Sequence, residues 1–149
     1  MATDPVKIMN TFYIGNSRNV YVDGDNDVSI ADDETGKRAF FIARRWVKFV
    51  QEIPMIDRAV RRAVMYKPTK FKLHVGGRWY VAVSDQFQTV DIRKWFIRVG
   101  SNGVLLPSTR GISLSFTQWK NLILKHCGVL EFPLRGFSPS FRGFRRKLS

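Results

Sequence analysis

Cysteine, histidine and, over the second half of the chain, acid are what this sequence has least of. The single cysteine, Cys127, has no partner for an internal bridge, so packing alone must hold the fold, and a reducing compartment is expected. The two histidines, His74 and His126, stand apart from any second set of ligands, which excludes a metal site of ordinary spacing and a nucleophile with its base. The Gly76-Gly77 pair marks a turn and no phosphate loop, so neither an enzyme nor a cofactor is expected. No charged-then-apolar leader and no long apolar run suggests secretion or a membrane partner.

Acid is scarce in one place only. Residues 1–66 carry 10 Lys and Arg against 9 Asp and Glu, whereas residues 67–149 carry 15 against 3, and the chain as a whole has a net charge of +13. A polyanion is therefore the first partner to consider, and the two halves are expected to do different work. With 149 residues, 44% of them hydrophobic, the chain can bury about two thirds of its unfolded surface. That suffices for one compact domain or for two small units sharing a core.

The chain repeats itself. An offset of 61 residues lays FYIGNSRNVYV (12–22) over LHVGGRWYVAV (73–83), so that Ile14 meets Val75, Gly15 meets Gly76, Val20 meets Val81 and Val22 meets Val83. An offset of 73 aligns the other ends, Phe41 with Leu114, Trp46 with Trp119, Phe49 with Leu122 and Val50 with Ile123. The 12-residue excess must lie between the second and fourth strands of the second unit. Each unit reads as strand, glycine turn, strand, strand, then a fourth strand running into a helix.

Alternation sets Tyr80, Ala82 and Ser84 opposite Val81 and Val83, and Asp91, Arg93 and Trp95 opposite Val90 and Ile92. Ser115 with Gln118 three residues on forms a capping box, after which Trp119, Leu122 and Ile123 share a helical face. Trp46 and Trp119 are expected to hold helix against sheet. In the first unit Ala43 stands where Ser115 does and caps nothing. Pro54 is expected to break or kink the following helix, with Ile56, Val60 and Val64 as an apolar stripe beyond it.

The acidic run DGDNDVSIADDE (23–34) puts Asp23, Asp25, Asp27 and Glu34 at positions of a calcium loop, but Val28 occupies the place that needs glycine and the flanks are strand-like. No metal is expected there; the run is expected to be a hairpin whose carboxylates repel phosphate. The last residues, PLRGFSPSFRGFRRKLS, hold two RGF triplets and no acid, which suits a mobile basic arm, an import signal or an unstructured solubilising end.

FYIGNSRNVYV and IPMIDRAVRRAV in the first unit, and RWYVAVSD, VDIRKWF and LPSTRGISLSFTQWKNLI in the second, resemble the transcriptional positive cofactor four family of single-stranded-DNA-binding coactivators. The resemblance runs over about residues 12–130. It implies an α+β fold in which a curved antiparallel four-stranded sheet is followed by a helix, two such units pairing about a twofold axis. Here two tandem copies would form that pair within one chain, as an intrachain pseudo-dimer. The expected division is a first repeat over 1–66 with a divergent acidic hairpin, a basic nucleic-acid-binding repeat over 67–134, and a basic tail over 135–149.

The same resemblance locates nucleic-acid contacts at Arg78, Trp79, Phe87, Arg93, Lys94, Trp95, Phe96, Arg98 and Arg110. Arg93 and Phe96 match family contact positions and Arg110 a family basic position, whereas the turn SDQFQT lacks the lysines other members carry. From the residues alone, adjacent Trp95 and Phe96 face opposite ways, one to the core and one to a base. Trp79 is expected as a surface platform, and Arg93 either meets phosphate or pairs with Asp91. Single-stranded or melted DNA is the expected partner, in transcription, replication or repair and at a nuclear or other nucleic-acid site. Single-stranded RNA and a protein-interaction adaptor for the transcription machinery are the competing readings, and further homo-oligomerisation stays open.

Overall fold

The computed structural model describes residues 8–65 and 67–131. The basic tail, with the attraction and import signal expected of it, lies outside the described residues. The fold is α+β: two antiparallel four-stranded sheets and two helices. Strands β1 (Ile8–Gly15), β2 (Arg18–Asp23), β3 (Val28–Asp32) and β4 (Arg38–Phe41) form the first sheet in sequential order and lead into helix α1 (Ala43–Val64). Strands β5 (Lys70–His74), β6 (Trp79–Ser84), β7 (Thr89–Ile97) and β8 (Leu105–Ser115) repeat that order and lead into α2 (Phe116–Glu131).

Period-two alternation decides which face of each sheet is buried. Val20, Val22, Val28, Ile30, Ala39 and Phe41 turn inward from the first sheet, and Val81, Val83, Val90, Ile92, Ile112 and Leu114 from the second. The apolar pairs matched by the two offsets, from Ile14 and Val75 to Trp46 and Trp119, lie in one continuous core, with Ile123 packed partly buried against it. Phe41, Trp46 and Phe49 pack together with ring centroids 5.0 to 5.5 Å apart, Phe41 edge-on to Trp46 and both tilted against Phe49, which meets Trp119 edge-on at 6.2 Å. The excess length falls where the offsets require it: Ile30 pairs with Ala39 across a short turn, Ile92 with Ile112 across the long β7–β8 hairpin.

The helices cross over, α1 packing on β6 and α2 on β1. At the start of α2, the Gln118 amide donates to the Gly15 carbonyl at 3.0 Å, and Asn121 donates to the Ile14 carbonyl at 3.0 Å. Arg45 holds the place in α1 that Gln118 holds in α2, and it lies over the corresponding glycine turn. A Cβ added at Gly77 (φ +60°) would stand 2.6 Å from its guanidinium. A side chain there would push the guanidinium aside.

Ala43 caps nothing itself, but its N–H donates to the Asp27 carboxylate at 2.9 Å, from a turn 16 residues earlier. Two expectations are corrected. Pro54 does not break the helix, which runs unbroken from Ala43 to Val64. Proline removes one backbone donor at that point, and Ile53, Ile56, Ala59, Val60 and Ala63, buried on either side of it, hold the helix to the sheet. Val64 leaves the stripe and is exposed; Ala59 and Ala63 fill the buried side instead. In α2 the capping box forms as expected, Ser115 Oγ accepting from the Gln118 N–H at 3.1 Å and Gln118 Oε1 from the Ser115 N–H at 2.8 Å.

Candidate nucleic-acid interface

Neither described helix covers the outer face of the second sheet, and cross-strand register decides what that face presents. His74 pairs with Tyr80, Tyr80 with Arg93, and Lys72 with Ala82, while Trp95 continues the outward parity of Asp91 and Arg93. The rings converge: His74 and Tyr80 have centroids 4.9 Å apart, and Tyr80 meets Trp95 edge-on at 5.9 Å. Lys72 Nζ sits 3.4 Å from the centre of the Trp95 ring and 4.9 Å from that of Tyr80. A half-buried aromatic platform with an ammonium on it therefore occupies one end of this face. Lys72, His74 and Tyr80 were not singled out as contacts from the sequence, although parity already put Tyr80 and Trp95 on one side.

Arg93 adjoins the platform in the alternative state foreseen for it. Its guanidinium forks onto Asp91 at 2.9 and 3.1 Å and donates to the Ser108 carbonyl at 2.9 Å, while Asp91 also accepts from Ser113 Oγ at 2.7 Å. Opposite Arg93 the chain needs glycine, since a Cβ at Gly111 would lie 2.6 Å from the Ile92 carbonyl oxygen. Beyond it β8 holds two more residues than β7 between paired positions, with Arg93 opposite Gly111 and Trp95 opposite Pro107. This irregularity presents Ser108, Thr109 and Arg110 beside the sheet.

The other expected contacts are dispersed. Trp79, expected at the surface, is 4% exposed and lies 6.3 Å from Phe41, because β6 alternates regularly from its first residue and Trp79 shares the inward parity of Val81. Lys94 pairs with Trp79 and is half-buried on the same parity. Phe96 shares that inward parity but lies past the end of the core, so its ring is 44% exposed. Phe87 is 73% exposed in the β6–β7 turn, on the order of 25 Å along the strand from Phe96 at about 3.3 Å per residue. One base cannot touch both. Arg78 is exposed in the β5–β6 turn at φ +61°, its N–H donating to His74 Nε2 at 3.2 Å, and Arg98 is exposed at the base of the β7–β8 loop.

The first sheet offers a different outer face. Register aligns Val20 and Ile30 with Val81 and Ile92, so Ala31, Asp32 and Asp33 stand where Arg93, Lys94 and Trp95 do. Asp33 accepts from the Tyr21 hydroxyl and from Asn19, and that bond, with burial, raises the tyrosine pKa. Asp32 is buried and held at a pKa of about 2, chiefly by the Ser17 hydroxyl, with Thr35, the Glu34 N–H and Arg18 adding to it. Carboxylates thus replace cation and ring.

Asp23, Asp25 and Asp27 lie close together, but the Asp23 and Asp27 oxygens serve the backbone. Asp23 accepts from the N–H groups of Asp25 and Asp27 at 2.9 and 3.0 Å, and Asp27 caps α1.

Residues 85–124 match the family model described as Transcriptional Coactivator p15 (PC4), a family of transcriptional coactivators. The match spans the β6–β7 turn, β7, β8 and α2 as far as Leu124. No curated protein and no solved structure matches the chain. No described helix is long and apolar enough to cross a membrane.

Proposed function

We propose that this protein binds single-stranded or locally melted DNA, with little sequence preference, on the outer face of its second sheet. It acts as a coactivator-type protein in transcription, replication or repair. Bases stack on Trp95 and Tyr80, and Lys72, Arg78, Arg93, Arg98 and Arg110 meet the phosphates; Phe87 in the β6–β7 turn and Phe96 past the end of the core offer further rings beyond that face, and Lys94, on the inward parity, stays off it. Stacking and charge together need no base-edge contact, which is why the sequence preference is weak. The observation that carries this reading is the contrast between equivalent positions: Arg93, Lys94 and Trp95 in the second half, Ala31, Asp32 and Asp33 in the first.

In the same proposal the chain is two tandem copies of one unit, 1–66 and 67–134, paired as an internal pseudo-dimer and followed by a basic tail over 135–149. The reciprocal seating of Gln118 on Gly15 and of Arg45 over Gly77 supports it. Covalent linkage lets two equivalent faces diverge, which identical subunits cannot do.

The test is titration of the full chain with a fluorescent oligothymidylate at several salt concentrations. Saturable binding should weaken with salt at a slope of about 0.7 per phosphate neutralised. Matched oligoribonucleotides in competition decide between DNA and RNA. Absence of saturable binding to either at physiological salt leaves the adaptor reading, for which the apolar cleft between α1 and α2, lined by Val60, Val64, Met65, Phe116 and Leu124, is the available surface.

A further inference from the structure

The β3–β4 turn of the first half and β8 of the second come together at a groove of about 330 Å³. Lys37 and Arg38 line it from one side, Thr109, Arg110 and Gly111 from the other, with the exposed ring of Phe40 between them. Lys37 and Arg110 are equivalent under the 73-residue offset, so each half contributes the same position to one place. All three cations are exposed, and among the described residues none of them makes an ion pair. Like charges gathered around a groove without a counter-charge repel one another, and an anion seated among them removes that cost.

We infer that this seam is a second contact on the path of the bound strand, with Lys37 and Arg38 taking backbone phosphate and Phe40 offering a stacking face, so that the first half also holds nucleic acid. The inference rests on the function proposed above and adds a direction to it. Gly111 lines the groove and is also the β8 partner of Arg93, so the groove opens beside the outer face of the second sheet. A strand lying on Trp95 and Arg93 passes Gly111 and meets Arg110, Arg38 and Lys37 in turn. None of the acidic residues of the β3–β4 turn lines the groove: Asp32 is buried, and Asp33 and Glu34, though exposed, stand outside its lining.

The experiment measures the salt dependence of oligothymidylate binding for the full chain and for two double variants. Lys37→Ala/Arg38→Ala removes the seam cations. Lys48→Ala/Arg58→Ala removes the same charge from exposed positions on α1. Losing two phosphate contacts should lower the slope of log affinity against log salt by about 1.4 for the seam variant, with the α1 variant keeping the wild-type slope. Equal slopes for the two variants, with wild-type binding intact, overturn the seam contact and leave the second-sheet interface standing. No saturable binding by the wild-type chain overturns both. Photocrosslinking from iodouracil-substituted oligonucleotide gives an independent check: adducts at Phe40 are expected, and adducts confined to residues 72–96 contradict the inference.

Discussion

Gln118 donates its side-chain amide to the carbonyl oxygen of Gly15, 103 residues earlier in the chain and 3.0 Å away. The same side chain closes the capping box of α2 through its oxygen, so one residue both starts a helix and fastens it to the other half's first hairpin. Gln118→Ala should cost about 2 kcal/mol, a lost cap plus a part-buried carbonyl left without its donor. Gln118→Glu keeps an acceptor for the Ser115 N–H but cannot donate to Gly15, and should fall between the two. Urea denaturation measures the order, and equal stability of wild type and Gln118→Glu contradicts the bridging role.

Trp79 and Trp95 lie on one sheet with opposite fates. Trp95→Ala should weaken oligonucleotide binding by about 1 to 3 kcal/mol and leave the melting temperature nearly unchanged. Trp79→Ala removes a buried ring and should destabilise the protein by about 3 to 5 kcal/mol. Thermal melting and titration on the same samples separate them. A Trp95 variant that melts early yet binds normally per folded molecule makes that ring structural.

Asp91 holds Arg93 in a fork and places a carboxylate on the proposed binding face. Asp91→Asn removes one repelling charge and loosens the arginine, so binding should tighten, most at low salt, whereas Arg93→Ala should weaken it. Titration at two salt concentrations checks both directions. Tighter binding by Arg93→Ala would assign the arginine to the sheet alone.

Asp32 is held ionised by hydrogen bonds, its carboxyl lowered from 3.8 to about 2. The folded state therefore gains from its ionisation at every pH above about 4, and that gain is lost as pH falls from 4 towards 2. Asp32→Asn should be less stable at pH 7 and should lose less on acidification across that window. Denaturation midpoints at pH 7, 4, 3 and 2 report it; parallel acid limbs for the two proteins would show that Asp32 gains nothing from its turn.

The order of strands leading into each helix, the burial of Trp46 and Trp119 and the α2 capping box were legible because they rest on spacing within a few residues. Inward parity was legible too, and following it through the Gly76-Gly77 turn would have buried Trp79. The platform was not legible: His74, Lys72 and Tyr80 meet Trp95 only through the register of three strands, which a single sequence leaves open. Nor was the cap on α1, where the acceptor, Asp27, sits in a turn far from the helix it serves. The seam groove arises from the way one half packs on the other, and nothing local in KRAFF or STRGI announces it.

The most direct measurement is chemical-shift mapping of the full chain with a saturating oligothymidylate at physiological salt. The Trp95 indole and the amides of Lys72, Tyr80 and Arg93 should move together, with the Trp46 and Trp119 indoles unmoved in the core. Shifts gathered instead around Val60, Met65 and Phe116 between the helices, with the Trp95 indole at rest, would contradict the account.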